Sequence, residues 1–190
     1  MKQATGIIIV LVVIVLLLGG WLGVTCNSLI AKDEEASKAW ADTDAQLQRR
    51  NDLIPNLVST VKGYAAHEED VFSGIAEARS KLAGAQTPNE KAEADAVLSS
   101  GLSRLLAIAE NYPELKANEN FIRLQDELAG TENRITVART RYNDAVKRYN
   151  TSIRQIPGSF LAGSLGLTAR EYFEPPKGHD AVADAPKVEF

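Results

Sequence analysis

Apolar side chains recur every three or four residues along most of this 190-residue chain. One row, spaced by seven or by a multiple of seven, consists of Trp40, Leu47, Ile54, Val61, Ile75 and Leu82, and Glu68 occupies its missing step. A companion row consists of Leu57, Tyr64, Val71, Ala78 and Ala85. Two such rows form the narrow apolar seam of a helical bundle or coiled coil. The sequence shows no strand-like alternation of useful length, so it predicts an all-α fold.

Turn signals divide this pattern into three long helices of a bundle spanning 27–157. The first is predicted over 29–85, with Pro55 as a kink, because the seven-residue spacing continues through the proline; a helix break there is the alternative. Thr87-Pro88-Asn89-Glu90 has the form of a capping box and predicts a second helix over 88–112. The third is predicted over 118–155. We expect helix lengths of about 85, 37 and 57 Å.

An apolar segment precedes the bundle. Residues 6–26 carry no charged side chain and follow an N-terminal tail, 1–5. A run of this length suits a bilayer core of about 30 Å. We therefore expect an uncleaved N-terminal transmembrane helix, which meets the lipid bilayer through residues 6–26. A cleaved signal peptide and a lipid on Cys26 are the alternatives, although the single Lys2 and the Gly-Val-Thr before Cys26 fit them poorly.

The charges that flank this segment bear on its orientation. Lys2 stands before it and Lys32 and Lys38 follow it, so the lysine counts that govern orientation nearly tie. The acidic run Asp33-Glu34-Glu35 favours an N-terminus inside the cell. We expect the body of the protein to lie outside the cytoplasm, and a cytoplasmic body is the alternative.

Several motifs in the body resemble the LemA family. They lie within residues 39–42, 46–58, 61–65, 105–121, 132–135, 141–143 and 149–150, and include Leu53-Ile54-Pro55-Asn56-Leu57, Asn111-Tyr112-Pro113-Glu114-Leu115, Arg141-Tyr142-Asn143 and Tyr149-Asn150. The resemblance covers most of residues 27–175. It implies a bacterial, single-span protein of the cytoplasmic (inner) membrane with an antiparallel helical bundle. It implies no catalytic residues, no established activity and no single orientation.

The composition argues against several classes of function. One cysteine and two histidines are too few for a cysteine-rich zinc site or a disulfide framework. A net charge of −4 is untypical of nucleic-acid-binding proteins. The common catalytic triads, phosphate-binding loops and zinc-binding motifs are missing from the sequence. We therefore predict no catalytic residue, cofactor, metal ligand or nucleic-acid partner, and interpret His67 as solvated helix surface.

Two groups of charges accompany the apolar seam. Glu68 is interpreted as a seam residue that forms an ion pair with a base such as Arg139 or Arg141, or is partly exposed; the alternative is a buried acid with a raised pKa. The second half of the third helix is basic, which suits the negative end of a helix dipole better than it indicates binding to lipid or nucleic acid. In the expected up-down-up bundle, the first and third helices run parallel, and these bases lie far from the membrane.

The unequal helix lengths lead to a hypothesis of self-association. The part of the first helix nearest the membrane has no internal partner in such a bundle, so its seam residues are candidates: Trp40, Leu47 and Ile54. The apolar C-terminal segment 158–174 supplies further candidates: Phe160, Leu161, Leu165 and Leu167. This segment has three alternative locations: against the bundle end, against a second copy, or in a membrane. Residues 175–190 are expected to be disordered.

The sequence thus favours a membrane-anchored helical scaffold without catalytic activity. Its mechanism is packing, and its expected partners are the bilayer, further copies of itself and other envelope proteins. A membrane-linked sensor that acts through the kinked first helix is one alternative. An enzyme with an unrecognised site is the other.

Overall fold

The computed structural model describes residues 2–65 and 67–174, and their side chains at Ile9 and from Leu11 onward. These residues form six helices: α1 (Lys2–Lys62), α2 (Glu69–Gly84), α3 (Pro88–Ala109), α4 (Pro113–Lys116), α5 (Glu119–Arg154) and α6 (Gly158–Ala162). No strand occurs in this described part, and the all-α prediction is confirmed. The prediction of disorder for residues 175–190 lies outside the described residues.

Helix α1 contains both the apolar segment and the first part of the bundle. It is already helical at Lys2, so the separate N-terminal tail predicted over 1–5 is wrong. Its apolar side chains are exposed early in the helix, for example Leu16 at 69% and Val24 at 70%, whereas Leu47 is fully buried. Among the described residues, one helix is long and apolar enough to cross a membrane, and it is this one.

The first predicted helix, 29–85, is divided in two in the structure. Helix α1 ends at Lys62, and α2 begins only at Glu69. Gly63, which is costly inside a helix, follows the last helical residue. The seven-residue apolar spacing did not reveal this break, because Val61 on one side of the turn and Ile75 on the other enter the same buried cluster.

The predicted passage of the helix through Pro55 agrees with the structure. Proline has no N–H group, so the carbonyl of Asn51, four residues earlier, loses its helical donor. Arg79 of α2 replaces it: its Nε donates to the Asn51 carbonyl oxygen at 3.2 Å and to Asn51 Oδ1 at 3.1 Å. A side chain from the neighbouring helix therefore satisfies the carbonyl that Pro55 leaves open.

Side-chain caps begin the two later long helices. The capping box predicted at Thr87 and Glu90 is present and starts α3. Asn118 Oδ1 accepts hydrogen bonds from the backbone nitrogens of Asn120 (2.9 Å) and Phe121 (3.2 Å), which caps α5. The predicted third helix, 118–155, agrees with α5 within one residue at each end, while α3 ends three residues before its predicted limit.

The chain divides into two compact units. The first comprises the described residues up to 39 and residues 144–170. In it, Lys32 Nζ donates to Ser152 Oγ at 2.5 Å, and Glu35 Oε1 lies 2.6 Å from Arg148 Nη2. The later residue of α1 thus contacts the earlier residue of α5, so the two helices are antiparallel here.

The second unit comprises residues 40–143, without 66, and residues 171–174. Here too α1 and α5 are antiparallel, since Arg50 meets Glu132 and Tyr64 meets Asn118. The predicted parallel arrangement of the first and third helices is therefore wrong. The turn after Lys62 adds one reversal of the chain. The core of this unit is a cluster of buried side chains from α1 to α5, among them Leu57, Leu98 and Phe121.

Candidate interaction sites

A buried charge cluster joins three helices of the second unit. Asp95 of α3 accepts a hydrogen bond from Arg50 Nη1 of α1 at 2.9 Å and another from Arg139 Nη2 of α5. The side chains of Asp95 and Arg50 are only 2% and 7% exposed. Glu132 of α5 brings a second carboxylate oxygen to within 2.7 Å of Arg50 Nη1. Two positive and two negative groups thus balance each other across the helices.

Arg139, a predicted partner of Glu68, forms its ion pair with a different acid in the structure. Arg139 pairs with Asp95, and Arg141 is exposed. Glu68 stands at the N-terminal boundary of α2, half-buried. The predicted pairing assumed an unbroken first helix with Glu68 in its seam, whereas the partial exposure that was also expected for Glu68 is present. His67, two residues before α2, is exposed, as expected.

Tyr142 and Asn143 of α5 bind the extended chain that follows α6. The Tyr142 hydroxyl donates to the Glu171 carbonyl oxygen at 2.7 Å. Asn143 donates from Nδ2 to the Phe173 carbonyl oxygen at 3.1 Å and accepts at Oδ1 from the Phe173 backbone nitrogen at 2.8 Å. One side-chain amide therefore satisfies both backbone groups of one residue, as an adjacent β-strand would.

An aromatic cluster surrounds the same end of the chain. The ring centroids of Trp40 and Tyr142 are 5.2 Å apart, and those of Trp40 and Phe173 are 6.4 Å apart. The Arg139 guanidinium lies 4.5 Å from the Phe173 ring centroid. Trp40 was predicted to contact a second copy of the chain. In the structure it is half-buried among aromatic residues of its own chain.

Tyr149 and Asn150 repeat this pattern in the first unit. The Tyr149 hydroxyl donates to the Thr168 carbonyl oxygen at 2.8 Å. Asn150 exchanges two hydrogen bonds of 2.9 Å with the backbone nitrogen and oxygen of Arg170. The Arg170 side chain then reaches α1, where Nε donates to Asp33 Oδ1 at 2.7 Å. The chain after α6 is therefore fixed to both long helices of this unit.

Two pKa values are shifted around the Asp33–Arg170 contact. The hydrogen bond and positive charge of Arg170 hold the pKa of Asp33 below its usual 3.8, although burial opposes the shift. Burial, together with the nearby Asp33 carboxylate, raises the pKa of Tyr149 above 10.0. At neutral pH, Asp33 is therefore charged and Tyr149 keeps the proton that it donates to Thr168.

Of these residues, the two Tyr-Asn pairs could have been recognised as a repeat in the sequence. The dipeptide occurs twice, at Tyr142-Asn143 and Tyr149-Asn150, with a spacing of seven. This places both copies at equivalent positions along α5. The repeat indicates a shared role, although not its target. Nothing in the sequence pattern predicts the role of Asp95, which is one acid among 25 acidic residues.

The residues predicted to mediate self-association divide into covered and exposed side chains. Leu47 and Ile54 are completely buried. They were expected to lack a partner only because the first helix was taken to be longer than its neighbours. Leu161 and Leu167 pack against a small cluster around Leu29. Two of the remaining candidates are exposed: Phe160 at 76% and Leu165 at 37%.

A cleft of about 380 Å³ lies between α1 and α2. Its lining is mostly apolar, with basic groups among it: Pro55, Val58, Ser59, Lys62, Phe72, Ile75, Ala76 and Arg79. The Lys62 ammonium lies 5.0 Å from the Phe72 ring centroid. Within the described residues, no group of three or more His, Cys, Asp or Glu side chains is placed to hold a metal ion.

The structure thus defines a class of protein, a helical bundle whose first helix begins with a candidate membrane span. A sequence profile of the LemA family matches residues 39–190, and the chain belongs to this family. It is 26% identical to magnetosome protein MamQ 2 of Paramagnetospirillum magneticum and to magnetosome protein MamQ of Magnetospirillum gryphiswaldense, over 85% of this chain and 69% of each relative. It is 25% identical to protein LemA of Metamycoplasma hominis, over 74% of this chain and 65% of that protein.

Proposed function

We propose that this protein is a membrane-anchored scaffold that acts through helix packing and not through catalysis. One observation carries the proposal: α1 extends without interruption from exposed apolar side chains such as Leu16 to the buried core residues Leu47 and Ile54. An apolar surface exposed in this way suits lipid. The names of the relatives support the proposal, since they refer to a cell structure or to the family and to no reaction.

The scaffold is further proposed to self-associate through the apolar part of α1. Gly19, Gly23, Cys26 and Ile30 are spaced four, three and four residues apart, so they share one helix face. A side chain added at Gly19 or Gly23 would meet no atom within 4 Å. Small residues four apart allow two helices to approach closely in a bilayer. Ile30, 46% exposed, extends this face beyond the apolar run.

Cross-linking of the native cysteine tests this proposal. Membranes that contain the full-length protein are treated with a mild oxidant, and disulfide-linked dimers are measured on a non-reducing gel. We expect a dimer that is absent from Cys26→Ser and at least several-fold weaker in Gly23→Leu. Gly20→Leu is the matched control, because Gly20 lies about a quarter turn from the centre of the face. Absence of the wild-type dimer, or equal effects of the two leucine variants, would contradict the proposal.

The body of the protein is proposed to lie outside the cytoplasm of a bacterial cell. The first acidic residues after the apolar segment, Asp33 and Glu34, support this orientation, while Lys2 stands on the other side. A C-terminal fusion to alkaline phosphatase, which is active only outside the cytoplasm, tests it against a matched green fluorescent protein fusion. We expect phosphatase activity without fluorescence. The reverse result would place the body in the cytoplasm.

A further inference from the structure

The antiparallel course of α5 brings its C-terminal end to the start of the bundle. In the first unit, Ile153 belongs to the same buried cluster as Leu29, which is three residues beyond Cys26. Gly158, the first residue of α6, also lies at this point: a side-chain carbon there would come within 3.3 Å of Leu29 Cδ2 and 2.1 Å of the Ser152 carbonyl oxygen. Helix α6 is therefore packed against α1 where the apolar segment ends.

The segment from Ile156 to Leu165 has two different faces. Ala162 is 7% exposed and, with Leu161, packs into the cluster around Leu29. Ile156 and Phe160 are each 76% exposed on the other side. Large apolar side chains exposed next to one another mark a surface that binds lipid or protein. The buried side explains how the segment is held, and the exposed side still needs an occupant.

The position of the exposed side chains favours lipid. Gly158, the first residue of α6, approaches Leu29 of α1, which lies three residues beyond Cys26. At nearby positions of α1, Trp21 is 51% exposed and Val24 is 70% exposed. Helix α6 therefore packs on α1 close to the end of the exposed apolar segment. Arg154, which is exposed next to Ile153, suits the phosphate of a lipid headgroup.

A second copy is a poorer occupant. A stable protein interface buries about 800 Å² on each partner. Ile156, Phe160 and the partly exposed Leu165 offer much less, because even a large aromatic side chain buries only about 150–250 Å². A membrane surface needs no such area, since it surrounds each apolar side chain that enters it.

We propose that α6 and the turn before it form a lipid-binding foot, which inserts Ile156 and Phe160 into the surface of the membrane that α1 crosses. The partner is the bilayer itself, at the boundary between headgroups and acyl chains. The proposal depends on the membrane anchor of the proposed function and not on self-association. Together, α1 and α6 would contact the bilayer at two points and fix the tilt of the first unit.

Fluorescence of a label on α6 tests the proposal in the full-length protein. Phe160→Cys, in a Cys26→Ser background, is labelled with an environment-sensitive dye and reconstituted into vesicles of phosphatidylethanolamine and phosphatidylglycerol. We expect quenching by a spin label at acyl carbon 5, and an iodide quenching constant at least two-fold lower than that of labelled Lys147→Cys. Lys147 is exposed on α5, about 10 Å before Arg154, the last residue of that helix. Ile156→Cys provides a second label position.

Two further measurements separate the possible failures. A label at Leu22→Cys reports on α1 alone. If lipid quenches it while the labels at residues 156 and 160 stay open to iodide, the lipid-binding foot is refuted and the anchor is retained. The label at Phe160→Cys could instead be protected from iodide without being quenched by lipid. If that protection is lost when the protein is diluted with lipid, a second copy covers the label, and the proposal is also refuted.

Discussion

Replacement of Asp95 by asparagine tests the charge cluster of the second unit. The change removes the negative charge between Arg50 and Arg139, while the shape of the side chain stays nearly the same. Glu132 remains, but its side chain is 44% exposed and therefore compensates poorly. Breaking one partner of a buried ion pair costs about 3–5 kcal/mol, because the opposite charge stays buried without compensation. The expected fall in melting temperature is roughly 6–20 °C.

Thermal unfolding of the full-length protein in detergent measures this loss, with far-UV circular dichroism and the fluorescence of Trp21 and Trp40 as signals. Glu77→Gln is the matched control, since it neutralises an acid whose ion pair with Lys81 is exposed on both sides. Adding Arg139→Gln to Asp95→Asn restores the charge balance, so the double variant should be more stable than the sum of the single changes predicts. A single variant as stable as the control, or strictly additive effects, would refute the reasoning.

Two further predictions concern α1. Arg79→Met removes the side-chain donor to the Asn51 carbonyl, and should lower the free energy of unfolding, measured by chemical denaturation, by about 1–3 kcal/mol. Pro55→Ala restores the backbone N–H that this carbonyl lacks. If Arg79→Met costs as much in that background, the account is contradicted. Asp33→Asn should destabilise the protein at neutral pH. Because the pKa of Asp33 is lowered in the folded state, the difference in free energy of unfolding between the variant and the wild type should be complete above the ordinary pKa of 3.8. It should vanish as the pH falls through the lowered pKa. A difference that does not depend on pH would exclude the Asp33–Arg170 pair as its cause.

The sequence predicted the helices well where local chemistry defines them. The cap at Thr87 and the apolar steps of α5 are local features, and both agree with the structure within a few residues. The turn between Lys62 and Glu69 was not predicted, because a seven-residue spacing can continue across a short loop when both sides enter one core. This error then reversed the expected direction of the third helix, since each added turn inverts every later helix.

The candidate interaction sites were harder to predict, since they depend on contacts between distant parts of the chain. Arg50 and Asp95 are 45 residues apart, and Asp33 and Arg170 are 137 apart. The spacing of residues in the sequence shows which face of a helix a residue occupies, but it does not show which distant residue it contacts. The sequence left three locations open for the segment that contains Phe160, and the position of α6 beside Leu29 follows only from the antiparallel course of α5.

The mass of the full-length protein in lipid nanodiscs tests the proposed scaffold most directly. Mass photometry or light scattering, corrected for lipid, gives the number of 20.6 kDa chains in each particle. The account predicts dimers or larger assemblies for the wild type and a shift towards monomers for Gly23→Leu. A wild-type protein that stays monomeric at all protein-to-lipid ratios would contradict it.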